Sequence, residues 1–466
     1  GEFRNWAATV QTAPVKVLRP KSTKDVMKIL KKATGMDHKP SIRCMGSSHS
    51  WTPLFADDGA WLMDTSGMKG IVWSATDNPT QVTVGPGVTG GQLATFCDSK
   101  DRGKWRGMFL PSDVILETVT YGGVVNSSCH GTGKTQARRW HPRCNGTVCD
   151  YVVKTSIIKW DGTRVDLTRE EDPEGFAEKI VHFGLLGVSV SFTFQLDAAR
   201  TAVGVTDHKC RAREIFLERG QFPEQGGDAN PLLDLWNNNY AVEIFYFAAS
   251  SLDITNVLSK QFEDQTWDEY NDICAVKTFN RTSNAVGKVA KFGDKPALVS
   301  LYSKAAALAF EPAFQTTGEV SYETSLGQAI HWQKFITEGY PVSDTEVCIK
   351  CDPDFTNAYK AVQETIAIVK DFAEDEDTMP LNVALEMRFT KHSDTPICPA
   401  FGKEDGSNAT LPHWAKWSES YITDGEAKLK AAYASRLPLL KSLSAEWDPN
   451  GMFVNSFFER LFAPTG

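Results

Sequence analysis

Three charged residues have the types and spacing best suited to catalysis: Glu386, Arg388 and, further along the chain, Lys416. Side chains two positions apart on a strand point to the same face, so Glu386 and Arg388 would lie together on the strand predicted here. A carboxylate can help remove a proton from a hydroxyl group, and cations can stabilise the oxyanion that forms. Without supporting motifs, the three residues would be interpreted as an exposed salt-bridge cluster.

Three glycine-rich turns lie in the first 135 residues, at 46–51, 85–91 and 122–133, each at or near the end of a predicted strand. Glycine lets the backbone approach a ligand and turn its N–H groups inward, which suits a diphosphate. One such turn would be an ordinary tight turn. Several in one region predict a large phosphate-bearing cofactor that is held along its length.

Two of these turns resemble other phosphate-binding motifs, but both matches fail. Residues 85–90 fit GxGxxG, yet the predicted helix after them is short, Pro86 removes a backbone donor, and the following acids come too early for a dinucleotide site. Residues 131–135 resemble the end of a P-loop, but Ser128 stands where that motif needs glycine.

The surrounding pattern predicts the elements that position the turns. A hairpin is expected over 151–167, with Asp161-Gly162 as its turn, and a strand over 184–196. An amphipathic helix includes 359–369, the acidic run 374–377 is expected to be a solvated loop, and another helix is expected over 425–443.

Composition limits the class of protein. The 466 residues are 41% hydrophobic, which predicts large cores in two or three domains or in one two-lobed fold. The net charge of −9 without a basic block argues against nucleic acid, and no apolar run predicts a membrane span. The only CxxC pair, Cys348 and Cys351, lacks the second pair of a four-cysteine zinc site, and we predict no metal.

Localisation is predicted from four N-glycosylation sequons, which favour secretion. They begin at Asn126, Asn145, Asn280 and Asn408. Asn126 lies in a predicted cofactor loop and is expected to lack a glycan. No signal peptide is recognised, so a cytoplasmic location is the alternative.

Seven segments in this order resemble the vanillyl-alcohol-oxidase-type, or PCMH-type, FAD flavoproteins, and within them the sugar-1,4-lactone oxidase and alditol oxidase group. The segments are 5–7 with 18–20, 44–50, 122–133, 184–187, 386–390, 413–416 and 448–455. The resemblance implies FAD, with His49 as the residue that carries it covalently through the 8α-methyl group. It also assigns the catalytic roles to Glu386, Arg388 and Lys416, with His413 in support.

The remaining cofactor contacts are implied by the same resemblance. They are Gly46, Ser47, Ser48, Ser50, Gly85, Gly87, Val114, Gly122, Gly123, His130, Gly131, Gly133, Gly187 and Asn455. Cys129 is expected to be structural.

The resemblance implies an α+β, two-lobed fold. A PCMH-type FAD-binding domain would occupy 1–200 and be completed by 411–466, and an α+β substrate (cap) domain would occupy 201–410. The implied enzyme transfers a hydride from a carbinol carbon of a sugar, sugar lactone, polyol or related alcohol to flavin N5 and reduces O2 to H2O2. The alternatives are a dehydrogenase with another acceptor and a non-catalytic binding protein on the same scaffold.

Two departures from the resemblance concern the substrate. Only 24 residues separate Arg388 from His413, which predicts that a strand lining the substrate pocket is lost or rebuilt. Val114 and Ile115 stand where the alditol oxidases have a small residue and a serine. The larger apolar side chains predict a less polar pocket and weaker access for O2.

Overall fold

The computed structural model describes most of the chain. The described residues are 1–73, 80–101, 104–105, 107–133, 146–197, 201–223, 229–251, 267–285, 318–331, 344–376, 384–402, 411–417 and 424–464. Within them, no helix combines the length and apolar character needed to cross a membrane. The sequons at Asn145 and Asn408 lie outside the described residues.

Nineteen strands and eleven α-helices form the described part of the chain. The strands are β1 Phe3–Arg4, β2 Gln11–Thr12, β3 Lys16–Leu18, β4 Ile42–Met45, β5 Trp61–Asp64, β6 Ile71–Trp73, β7 Gln81–Val84, β8 Lys100–Asp101, β9 Lys104–Trp105, β10 Val152–Ile158, β11 Arg164–Thr168, β12 Val188–Gln195, β13 Thr201–Arg211, β14 Ala241–Phe247, β15 Ile273–Ala285, β16 Gly318–Thr324, β17 Val347–Cys348, β18 Leu385–Arg388 and β19 Leu411–Pro412. The helices are Thr23–Thr34, Gly90–Asp98, Tyr121–Asn126, Pro173–Lys179, Ala212–Phe216, Pro231–Asn238, Leu326–Ile330, Thr356–Glu376, Gly425–Ala432, Leu437–Trp447 and Ser456–Phe462.

Two sheets organise the first 200 residues. The parallel sheet has the order β3-β5-β4, and the antiparallel sheet has the order β11-β10-β12-β7-β6. The helix Thr23–Thr34 packs Val26 and Leu30 into the core beside Ile42 of β4. The predicted hairpin is present, because β10 and β11 pair up to Ile158 and Arg164 on either side of the Asp161-Gly162 turn.

A second antiparallel sheet, here called the cap sheet, has the order β16-β13-β15-β14-β18. One face of it packs against the helix Thr356–Glu376, with Ile244 and Val276 in that core. The opposite face, with Phe245 and Ala275, shares a core with residues of the first 200 positions. Among the described strands, β18 lies at the edge of this sheet and pairs only with β14.

Three predicted boundaries were wrong. The strand expected over 184–196 begins at Val188, because Gly184 and Gly187 adopt φ angles of 79° and 139° that a strand does not have. The helix expected over 425–443 is two helices, since Pro438 has no N–H to continue a helix and stands in the first turn of the second. The acidic run expected to be a loop extends the preceding helix through Glu376.

Candidate active site

A cavity of about 1820 Å³ lies between the glycine-rich turns and the cap sheet. Pockets for small ligands usually hold ~300–1,000 Å³, so this one has room for a long cofactor and a substrate. Its wall contains thirteen residues that the sequence predicted to be functional. They are Gly46, Ser47, Ser48, His49, Ser50, Val114, Gly122, Gly123, His130, Gly187, Glu386, Arg388 and Lys416.

Five residues predicted to contact the cofactor do not belong to the described cavity wall: Gly85, Gly87, Gly131, Gly133 and Asn455. The first three are required by close packing; a Cβ at Gly131, for example, would lie 1.9 Å from the carbonyl oxygen of Asp113. Gly133 donates its N–H to the carbonyl of Phe389 at 3.0 Å.

Asn455 also forms hydrogen bonds within the protein and does not line the cavity. Its amide donates to the carbonyl oxygens of Pro53 and Phe55, and its Oδ1 accepts the N–H of Phe458 at the start of the last helix. These bonds tie the end of the chain to the turn that follows the predicted attachment loop. The residue therefore supports the cofactor side of the cavity without lining it.

The wall formed by residues 46–50 and 122–123 fits a closely held, extended ligand. A Cβ at Gly46 would lie 1.9 Å from Oγ1 of Thr120, and one at Gly122 would lie 3.0 Å from the carbonyl oxygen of Pro86. The absence of a side chain at Gly46 and Gly122 makes room for Thr120 and Pro86, and both glycines leave backbone in the cavity wall.

His49 lies in this wall, with its ring stacked on Trp6 at a centroid distance of 4.6 Å. Its Nδ1 is buried and has no hydrogen-bond partner among the described residues. Burial lowers the pKa of His49 to about 4, so the imidazole is neutral near pH 7. An unsatisfied, neutral ring nitrogen that borders a large cavity fits a residue that bonds to a cofactor.

The segment that carries Val114 and Ile115 is held by contacts with the first 200 residues and with the cap region. Asp113 accepts a hydrogen bond from the Tyr121 hydroxyl at 2.6 Å, and its other oxygen accepts the N–H of Val114. Nε2 of His331, which follows a helix of the cap region, lies 3.5 Å from Asp113. Both apolar side chains are thereby held against the cavity, as the sequence predicted.

The charged side of the cavity contains a residue that sequence reasoning missed, Glu346. Its Oε2 lies 2.8 Å from Nη2 of Arg388 and 2.7 Å from Nζ of Lys416. Its Oε1 contacts Nε2 of His130. Glu346, Glu386, Arg388 and Lys416 are here called the charged cluster.

Strand pairing assembles the charged cluster. Glu386 and Arg388 lie on β18, and Nε of Arg388 is 3.4 Å from Oε1 of Glu386. Glu346 precedes β17, and Lys416 follows β19, which pairs with β17. Asp344 lies 2.7 Å from Nζ of Lys416. No local motif marks Glu346, and the only hint in the sequence is a pair of acids two positions apart.

The two carboxylates of the cluster have opposite electrostatic environments. Burial alone would raise the pKa of Glu346, but Lys416 and Arg388 hold it well below its usual value. Burial raises the pKa of Glu386, and the cations oppose that shift only in part. The two pKa shifts therefore have opposite directions, which is typical of acids with different roles in one site.

Among the described residues, one group of donor atoms has a spacing that could bind a metal: His130, Glu346 and Cys348, within 4.8 Å of one another. The two carboxylate oxygens of Glu346 already contact Arg388, Lys416 and His130. Burial raises the pKa of Cys348 to about 12, so its sulfur stays a thiol and a poor metal ligand. This donor set does not favour a cation.

Residues 14–168 match a protein-family model described as a FAD binding domain. L-gulonolactone oxidase of Mus musculus is 28% identical over 194 residues, which cover 42% of this chain and 40% of the relative. D-arabinono-1,4-lactone oxidase of Saccharomyces cerevisiae is 24% identical over 42% of this chain and 34% of its own length. The chain therefore matches less than half the length of these relatives.

Two wider comparisons extend over the whole chain. L-gulonolactone oxidase of Scyliorhinus torazame is 19% identical over 99% of this chain and 98% of the relative. The structure of cholesterol oxidase from B. sterolicum covers 99% of this chain and 96% of its own, with a TM-score of 0.71 and 14% identity. The predicted α+β PCMH-type fold and the resemblance to sugar lactone oxidases are confirmed.

Proposed function

We propose that the protein is a FAD-dependent oxidase that acts on the carbinol carbon of a sugar, sugar lactone, polyol or related alcohol. The observation that carries the proposal is the position of the charged cluster in the same cavity as His49 and the glycine loops. The names of the lactone oxidases that match part of this chain support an alcohol as the substrate.

His49 and the loops at 46–50 and 122–123 would hold FAD, with the covalent bond through His49. When bound, FAD supplies the oxidising power, because it accepts the hydride from the carbinol carbon and passes the two electrons to O2, which leaves as H2O2. The protein supplies orientation, proton transfer and charge stabilisation.

Glu386 has the properties of the group that accepts the hydroxyl proton. It lies in the cavity wall, and burial raises the pKa of its carboxyl group toward the range in which a base is most effective. Arg388 and Lys416 would stabilise negative charge that develops on the substrate oxygen. Glu346 keeps both cations in place before the substrate arrives.

A dehydrogenase with an acceptor other than O2 is the second candidate. Val114 and Ile115 favour it, because they place two bulky apolar side chains in the cavity wall, where the resemblance implies that oxygen approaches. The experiment compares O2 with an artificial dye under the same substrate. Faster turnover with the dye and no detectable peroxide would replace oxidase by dehydrogenase.

The first test of the cofactor is the visible spectrum of the purified protein, repeated on pellet and supernatant after acid precipitation. We expect a yellow pellet, which indicates a covalent flavin, and the His49→Ala protein should release any flavin to the supernatant. Covalent flavin in the His49→Ala protein would refute the attachment site. A protein that stays colourless after incubation with FAD would favour the binding-protein alternative.

Secretion is part of the proposal, and the sequons allow a test of which asparagines can carry a glycan. Asn280 is exposed on β15, whereas the amide of Asn126 donates to the carbonyl of Gly122 inside the cavity wall. Mass spectrometry of protein secreted from a eukaryotic host should find no glycan at Asn126. An occupied Asn126 would contradict its placement.

A further inference from the structure

Four charged residues face one another across adjacent strands of the cap sheet. Arg388 of β18 pairs in register with Glu243 of β14, Glu243 with Lys277 of β15, and Lys277 with Asp207 of β13. Directly paired residues project to the same face of a sheet, so the four side chains form one row of alternating charge. We call it the charge row; Arg388 is its member in the active-site cavity.

The charge row lies inside the protein. The exposed fractions are 0% for Glu243, 2% for Lys277 and 9% for Asp207, and the Arg388 side chain is 10% exposed. Lys277 Nζ lies 2.6 Å from Oδ2 of Asp207. A buried charge without a partner is strongly unfavourable, so these groups are favoured as an alternating set of two cations and two anions.

The face that carries the row is the one that closes the active site. Ala241 and Phe245 flank Glu243 on β14 and share the large core with Val114 and Tyr121 of the first domain. The residues between them on β14, such as Ile244, face the helix on the other side of the sheet. The row therefore runs along the contact between the cap sheet and the first domain.

Arg388 is held on one side by the charged cluster. Its Nη2 lies 2.8 Å from Glu346, its Nη1 lies 3.3 Å from the carbonyl oxygen of His130, and its Nε is 3.4 Å from Glu386. Ion pairs of this kind close to about 2.7–2.9 Å when fully formed. The contact with Glu346 has the length of a fully formed ion pair, whereas the contact with Glu386 is longer.

We propose that Glu243 is a positioning residue for Arg388, with Lys277 and Asp207 as the next charges of the row. Its negative charge attracts the guanidinium along the sheet and limits its approach to Glu386. Glu386 thus stays able to accept a proton from the substrate instead of being locked in an ion pair. This inference rests on the proposed function for its kinetic consequence, but its structural consequence can be tested separately.

Five ionisable groups surround Glu243 or its partners and bear on any pH measurement. Arg388 and Lys277 pair with it directly, and Asp207 follows in the row. Lys209 lies two positions from Asp207 on β13, and burial, with Asp207 and Glu243, raises the pKa of Tyr322 on β16. Each of these groups except Arg388 lies on a strand away from the cavity edge.

The test is Glu243→Gln, which removes the charge and keeps the shape. We expect normal flavin binding and a kcat reduced about tenfold or more at neutral pH, with KM changed much less, because ground-state binding is preserved. The acidic limb of the kcat profile should move to lower pH, since a closer Arg388 lowers the pKa of Glu386. Glu243→Asp should restore part of both effects.

The matched control is Glu319→Gln, an exposed glutamate on β16 of the same sheet, which should leave the kcat and its pH profile unchanged. An unchanged kcat and pH profile for Glu243→Gln would overturn the inference. If the Glu243→Gln protein does not fold, the Glu243→Asp protein gives the answer. A positioning role for Glu243 predicts a shifted pH profile of kcat, whereas a role in filling space alone predicts no shift.

A crystal structure of Glu243→Gln gives an answer that does not depend on turnover. We expect the Nε–Oε1 distance between Arg388 and Glu386 to shorten from 3.4 Å to a closed ion pair. An unchanged distance would refute the positioning role. A shortened distance in Glu243→Gln, when the unmodified protein oxidises no alcohol, would support the inference while refuting the proposed function, so the two failures are distinguishable.

Discussion

On one side of the cavity, residues 46–50 and 122–123 form a wall of backbone, small side chains and the neutral ring of His49. On the other side, the charged cluster joins two acids and two cations within hydrogen-bond or ion-pair distance. The neutral wall depends on close steric fit, and the charged wall depends on mutual neutralisation. Under the proposed function, the first wall would bind the cofactor and the second would handle protons and charge.

Lys416→Met should have the largest effect and should distinguish the tasks of the two walls most clearly. The change removes the Nζ contacts with Glu346 and Asp344 and leaves the glycine loops intact. We expect kcat to fall about 100-fold or more, the scale seen when one group that stabilises an oxyanion is removed, while flavin content stays normal. Flavin absorbance and steady-state rates measure both.

The control for this change is Lys441→Met, an exposed lysine whose Nζ contacts only the carbonyl of Phe462 among the described residues. Its rate and flavin content should match the unmodified protein. If Lys416→Met lost its flavin as well, the assignment of separate tasks to the two walls would be wrong.

Gly187→Ala should damage the cavity wall at a position outside the charged cluster. The residue has a φ of 139°, and a Cβ there would lie 2.3 Å from the carbonyl oxygen of Ile158. We expect a loss of about 2 kcal/mol or more in the free energy of unfolding, together with weaker flavin binding. Urea unfolding and flavin content measure the two effects.

Gly318→Ala is the matched control for steric strain. No atom lies within 4 Å of the Cβ that it would add, and its φ is not positive. Its free energy of unfolding should change by less than about 0.5 kcal/mol. Equal losses for the two alanine variants would show that close approach is not what constrains residue 187.

The smallest expected effect is on the stability of the protein at acidic pH. Burial lowers the pKa of His182 to about 3, and its Nδ1 accepts the N–H of Gly184 beside the neutral wall. An unfolded histidine takes up its proton near pH 6.5, so the unfolded state binds more protons and stability falls as pH drops from about 7 toward 4.

His182→Gln should make that decline shallower, as measured by urea unfolding at pH 7 and pH 5. His208→Gln replaces an exposed histidine on the cap sheet and should leave the decline unchanged. A decline of the same steepness in both variants would mean that buried neutral histidines do not set the acid sensitivity of this wall.

Much of the cofactor side could be predicted, because its signals are local. A turn that needs glycine has glycine at that position in the sequence. The hairpin at 151–167 is specified by its two-residue turn and by the alternation of apolar and polar residues on its strands. The prediction that Gly131 and Asn455 contact the cofactor had no support in the cavity, because a close approach to protein and a close approach to a ligand leave the same mark in a sequence.

The amino-acid sequence by itself determined the order of strands and turns, the position of His49 after β4, and the placement of Glu386 and Arg388 on one face of a strand. Only the tertiary structure decided that Glu346 joins Arg388 to Lys416 and that Glu243, Lys277 and Asp207 continue the row. The reason is that strand register pairs residues more than 30 positions apart, and a shift of one residue would turn the charges of the row to the opposite face.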